Sequence, residues 1–399
     1  MLKANHLDRY ADVLLWGLQT ARNDRFKKGD IILIRYHTAA LALTEILNKR
    51  ILSMGMHPVV RVGLTPNMEK DFYTVAGRRQ LIFQAPGDAE LYRNLNGAIF
   101  LHAPESITHL SGIDAKKIGL HALSLKPLRE IMDEREARGQ FSWTLCMLPT
   151  EELARHAGLS LEQYAAQIIK ACWLHRRDPV TQWKGIFKAA QEVKKWLNSL
   201  IITRLQIESE NMDLVVTPGD KRRWIGISGH NIPSFEVFLS PDWRGTHGVY
   251  FSNLPSYRNG NLVADVRLWF KRGKAVQVQA AKGEQFLRQQ LKMDQGASRV
   301  GEFSLTDKRF SKIDRFMANT LFDENFGGPQ GNCHLALGSS YADTYDGPAS
   351  DLNKERKQAL GFNDSALHWD LVNTEKKRVT AVLESGKRRV IYEDGVFKC

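Results

Sequence analysis

The chain predicts two domains of different class. The first is an α/β N-terminal domain with a mostly parallel sheet, residues 1–208; the second is an α+β C-terminal domain rich in antiparallel strands, residues 209–399. Three observations carry this reading. Short apolar runs alternate with helical stretches in the first half, which is the pattern of βαβ units. Hairpin signals replace that alternation in the second half. The polar stretch Glu208-Ser209-Glu210-Asn211 separates the two, and 399 residues exceed one ordinary core.

Residues 6–21 carry a helical apolar period, and Lys28-Gly29-Asp30 then turns into the apolar run Ile31-Ile32-Leu33-Ile34, as expected of a buried parallel strand. A helix follows from Ala39 to Met54, closed by Gly55. Pro58–Val62, Gly97–Leu101 and Trp143–Met147 read as the next strands. Ser160-Leu161-Glu162-Gln163 has the form of a capping box, followed by Tyr164, Ile168 and Cys172 on one face. Asp178-Pro179 opens another helix, along which Val180, Trp183, Phe187, Ala190, Val193 and Leu197 recur as a core stripe.

Beyond the boundary, Asp213–Thr217, Arg223–Ile225, Leu262–Phe270, Ala275–Ala280, Val379–Leu383 and Val390–Tyr392 predict strands, with one helix over Glu284–Met293. Arg272-Gly273 and Asp394-Gly395 are turn signals.

Composition narrows the class. The 43% apolar and 25% charged residues are those of a globular protein. Fifty-six basic against 44 acidic residues give +12, which raises a nucleic-acid partner. The clusters Lys221-Arg222-Arg223, Lys376-Lys377-Arg378 and Lys387-Arg388-Arg389 lack interleaved aromatics, so a well-mixed basic surface is the better reading. Cys146, Cys172, Cys333 and Cys399 form neither a zinc knuckle nor a disulfide framework. No apolar run approaches the ~20 residues of a membrane helix and no secretory leader is evident. The expectation is a cytoplasmic protein without a membrane partner.

The chemistry concentrates in the second half. In His368-Trp369-Asp370 the first and third residues share one strand face, so two metal-capable side chains converge while Trp369 turns away. Glu236, Glu302, His334 and Tyr341 lie in Gly-, Pro- or apolar-rich surroundings, where burial of an acid or imidazole needs compensation. Three carboxylates and two neutral imidazoles total −3; two divalent ions and a bridging hydroxide bring the sum to zero. Oxygen donors mixed with imidazole suit Zn²⁺, Mn²⁺ or Co²⁺. The set reads as a two-metal hydrolytic site, with a phosphoesterase-like hydrolase and a non-catalytic nucleic-acid-binding protein as alternatives. Cys333 lacks a base and orienter and reads as a small buried residue; His247, in Arg244-Gly245-Thr246-His247-Gly248, reads as a loop histidine.

Ser234-Phe235-Glu236-Val237-Phe238, Gly301-Glu302-Phe303, His334-Leu335-Ala336-Leu337-Gly338 with Tyr341, and Ser365-Ala366-Leu367-His368-Trp369-Asp370 resemble the aminopeptidase T/aminopeptidase S family of thermophilic metallo-aminopeptidases. Arg9-Tyr10-Ala11-Asp12, Asp178-Pro179 with Trp183, and Asp394-Gly395 extend the resemblance along the chain. It implies that Glu236, Glu302, His334, His368 and Asp370 hold two metal ions and that Tyr341 is a catalytic tyrosine. It implies peptide substrates with a free N-terminus and a homodimer. In the corresponding mechanism Glu236 or Glu302 moves a proton to the leaving amine. One departure stands out: many members carry a second acid before the first metal-binding glutamate, where this chain has Phe235.

Overall fold

Strands β1 (Ile31–Tyr36), β2 (His57–Val62), β3 (Gly97–His102) and β4 (Ser142–Met147) are joined by helical crossovers and pair in parallel, in the order β2-β1-β3-β4. Ile32, Leu33 and Ile34 are buried in succession, as are Ala98 and Ile99, because helices cover both faces of the inner strands. β2 is the free edge, and Pro58 is tolerated there because an edge strand can spare an amide. The computed structural model describes residues 2–22, 24–348 and 351–399.

The expected helices form at Ala4–Thr20, Leu41–Ser53, Leu161–Ala171 and Pro179–Asn198. The Ser160 capping box is closed on both sides: the Gln163 amide donates to Ser160 Oγ at 3.2 Å, and the Ser160 amide donates to Gln163 Oε1 at 3.0 Å. The helix Ala4–Thr20 buries Tyr10, Ala11, Val13, Leu14, Gly17 and Leu18. Gly17 is required by close approach, since a Cβ there would lie 2.7 Å from the Gly229 carbonyl.

The chain continues through β5 (Ile202–Ser209), β6 (Asp213–Val216), β7 (Asn231–Ile232), β8 (Glu236–Leu239) and β9 (His247–Ser252). It then runs through β10 (Ser256–Arg258), β11 (Asn261–Val263), β12 (Val266–Lys271) and β13 (Lys274–Gln279). The final strands are β14 (Val300–Thr306), β15 (Asn332–Gly338), β16 (His368–Asn373), β17 (Lys377–Leu383), β18 (Arg388–Glu393) and β19 (Val396–Phe397). β7 adds to β4 as the fifth parallel strand. An eight-stranded antiparallel sheet has the order β13-β12-β9-β6-β5-β17-β18-β19, and a four-stranded one the order β16-β15-β14-β8.

Two compact units result: Met1–Gly185 with Ser228–Ser234, and Ile186–Ile227 with Phe235–Cys399. The division therefore falls inside the helix Pro179–Asn198 rather than at 208/209. β5 lies beyond it because its partners are β6 and β17. Two further expectations change. Arg223–Ile225 is not a strand: only the isolated bridges Arg222↔Tyr345 and Ile225↔Phe238 form, between positive-φ residues Lys221, Gly226 and Ile227. Leu262–Phe270 is broken into β11 and β12 at Asp265, whose φ is +51°. Arg272-Gly273 and Asp394-Gly395 do turn the chain, with both residues of each pair at positive φ. Lys377, read as part of a basic cluster, is buried. Among the described residues no helix is long and apolar enough to cross a membrane.

Candidate metal centre

The register of the four-stranded sheet puts the candidate residues on one face. Glu302 on β14 pairs with Ala336 on β15, which pairs with Asp370 on β16. Ser304 pairs with His334, Thr306 with Glu236 on β8, and Gly338 with His368. Paired residues share a face and alternate residues return to it, so Glu236, Glu302, His334, His368 and Asp370 all project the same way. The small Ala336 between Glu302 and Asp370 leaves room in the middle. The opposite face carries Val237, Leu239, Phe303, Leu305, Leu335, Leu337, Trp369 and Leu371, all buried.

The side chains meet in two groups that share one member: Glu236, Glu302 and His334, and Glu302, His368 and Asp370. His334 Nε2 lies 3.0 Å from Glu302 Oε1 and 3.2 Å from Glu236 Oε2. His368 Nε2 lies 3.7 Å from Glu302 Oε2 and 3.3 Å from Asp370 Oδ1. The two oxygens of Glu302 thus face different imidazoles. His368 Nδ1 donates to the Ser339 carbonyl at 2.9 Å, which orients Nε2 inward. Ser304 Oγ donates to Glu236 Oε2 at 3.2 Å. Tyr341, a residue 44% exposed, follows the end of β15; its amide donates to Ser240 Oγ at 2.8 Å, and its ring lies 4.7 Å from the His368 ring centre.

The electrostatics are those of crowded buried anions. Burial pushes the Glu236 carboxyl up, His334 and Ser304 pull it back and Glu302 and Asp370 add to the rise, leaving it at about 8. Burial disfavours the charged imidazoles, yet the carboxylates override it: Glu302, Glu236 and Asp370 hold His334 at about 9, and Asp370 and Glu302 do the same for His368. Burial also opposes ionisation of Asp370, but His368, His334 and Arg258 bring it down to about 2. Such a cluster needs cationic compensation, which the two protonated imidazoles supply and which divalent ions could supply in exchange for those protons. Its oxygen and imidazole donors, with no thiolate among them, fit hard or borderline divalent ions.

Sequence reasoning missed Glu324. It is buried, and burial together with Glu236, Asp370, Glu302 and Asp323 pushes its carboxyl well above the ordinary range. Its neighbour Asn325 fixes the approach to β8, accepting the Phe235 amide at 2.5 Å. The available signal was Asp323-Glu324-Asn325 set between Phe322 and Phe326, a polar triplet in apolar surroundings.

The model of the family described as thermophilic metalloprotease (M29) matches residues 3–397 of this chain. The chain belongs to this family. Aminopeptidase 2 of Geobacillus stearothermophilus is 30% identical, over 75% of this chain and 76% of its own length. Aminopeptidase AmpS of Bacillus subtilis (strain 168) is 29% identical, over 78% and 79%. The solved structure of wild-type AmpT from Thermus thermophilus shares the fold, with a TM-score of 0.81 over 99% of both chains at 23% identity.

Within this M29 chain, Phe235 is fully buried, so an acid at that position would be buried too. Cys333 lies on the apolar face, and burial raises its thiol to about 11, far from a thiolate nucleophile. His247 begins β9, is exposed and donates from Nδ1 to the Gly245 carbonyl, apart from the candidate centre.

Proposed function

We propose that this M29 chain is a metal-dependent aminopeptidase that releases the first residue of peptides with a free amine, using two divalent ions held on the polar face of the four-stranded sheet. The observation that carries the two-ion reading is Glu302: its Oε1 faces His334 and its Oε2 faces His368. One carboxylate shared by two ligand pairs is how a protein sets two ions close together. Glu236, Glu302 and His334 would hold one ion, and Glu302, His368 and Asp370 the other; the nitrogen and oxygen donors suit Zn²⁺, Co²⁺ or Mn²⁺.

When bound, such a pair of ions supplies Lewis acidity and activated water. The chain's own groups do the rest. Because both Glu302 oxygens face imidazoles, the proton transfer to the leaving amine is assigned to Glu236, whose Oε2 meets His334 and Ser304. Tyr341, packed on His368 yet reachable from solvent, donates its phenolic hydrogen to the developing oxyanion. The buried sheet behind the ligands keeps their spacing fixed. We also read the chain as cytoplasmic, in keeping with four cysteines that form no disulfide, and, from the family resemblance alone, as a homodimer.

The test is release of the N-terminal residue from short peptides by metal-stripped protein reloaded with Zn²⁺, Co²⁺ or Mn²⁺. Release from free but not N-acetylated peptides, lost in Glu302→Gln, is the expected result. Equal cleavage of acetylated peptides, or full activity in Glu302→Gln, would defeat the reading.

A further inference from the structure

β16 carries two of the five candidate ligands and is an outer strand of its sheet, so its free edge needs a partner. The segment after β9 supplies one. The Val372 carbonyl accepts the Leu254 amide at 3.2 Å and Ser252 Oγ at 2.9 Å. Carbonyls two residues apart turn to the same edge, and at His368 the donor is Arg258, whose Nη1 reaches the carbonyl at 2.8 Å. The guanidinium also lies 5.4 Å from the Trp369 ring centre, while Trp369 Nε1 donates to Ser256 Oγ at 3.0 Å. Arg258 is placed by a tight hairpin: Asn259-Gly260, both at positive φ, joins β10 to β11.

Arg258 is part-buried, donates to the His368 carbonyl and interacts electrostatically with Asp370. Burying that cation costs desolvation, which its bond to the His368 carbonyl, its contact with the Trp369 ring and the charge of Asp370 offset.

We propose that Arg258 is a positioning residue for the His368/Asp370 half of the centre, fixing the outer edge of β16 so that both side chains converge with Glu302. This rests on the two-ion reading. Arg258→Lys keeps the charge but not the planar fork that reaches the carbonyl while covering Trp369, and Arg258→Met keeps length without charge.

The experiment titrates metal-stripped protein with Co²⁺, following calorimetry and the visible Co²⁺ spectrum, with thermal melting alongside. In both variants one of two ions should bind about 10–100-fold more weakly, the usual effect of losing a group that orients a ligand. The other ion should bind as before, and the melting temperature should fall only modestly, with both variants still folding cooperatively. Unaltered affinity for both ions in either variant would overturn the proposal. So would tighter binding in Arg258→Met, which would mean that the guanidinium acts only by repelling the metal. Fewer than two ions in the unmutated protein would instead remove the two-ion reading, and this inference with it.

Discussion

The parallel sheet and the four-stranded antiparallel sheet are both buried on two faces, yet they fill those faces differently. Along β1, Ile32, Leu33 and Ile34 are apolar whichever way they point, because helices cover each side. Along β14 all seven residues are equally buried, but Glu302, Ser304 and Thr306 alternate with Phe303 and Leu305. The first sheet is held together by two apolar faces. The second carries, on one side, charge that stays out of water only if something else satisfies it. On the proposed reading the chemistry belongs to the second sheet, and several substitutions sharpen or break the contrast.

The largest effect is expected at Glu302. Glu302→Gln keeps the shape but removes the shared charge, and kcat should fall roughly 10³-fold or more while the circular dichroism spectrum is retained. Tyr341→Phe comes next: kcat should drop about 10²-fold, with KM nearly unchanged, if the phenol acts only in the transition state.

Proton competition follows. His334 and His368 are held at about 9, so near neutrality both carry protons that an incoming ion must displace. Acid favours the protonated imidazoles, and affinity should therefore weaken as pH falls below 9, by about tenfold per unit for each displaced proton. Calorimetric titrations at pH 6 and pH 8 compare this directly; equal affinity at both values would contradict it. The smallest effect on turnover belongs to the parallel sheet. Ile99→Ala should cost about 2–5 kcal/mol of stability in denaturant melts, yet leave kcat per folded molecule unchanged. A loss of kcat there would blur the division between the two sheets.

The parallel sheet was legible because its rules are local: apolar runs, capping residues and Gly55 announce strands and helix ends one at a time. The spacing of His368 and Asp370 was legible for the same reason, since two residues along a strand return to one face. β14 and β15 were harder. Glu302-Phe303-Ser304-Leu305-Thr306 alternates as a half-exposed strand would, and alternation tells which side a residue takes, not whether that side meets water or other carboxylates. Glu324 reaches the cluster through tertiary packing that no local spacing announces. The break at Asp265 and the hairpin turn Asn259-Gly260 are single-residue backbone choices; the Asn-Gly pair was a usable hairpin signal, weakened by three-residue flanks without clean alternation.

The most direct test of the central claim is a crystal of metal-loaded protein measured at the absorption edge of the added Zn²⁺. Two anomalous peaks should flank the Glu302 carboxylate, one beside His334 and Glu236 and the other beside His368 and Asp370. A single peak, or two peaks that do not share Glu302, would contradict the account.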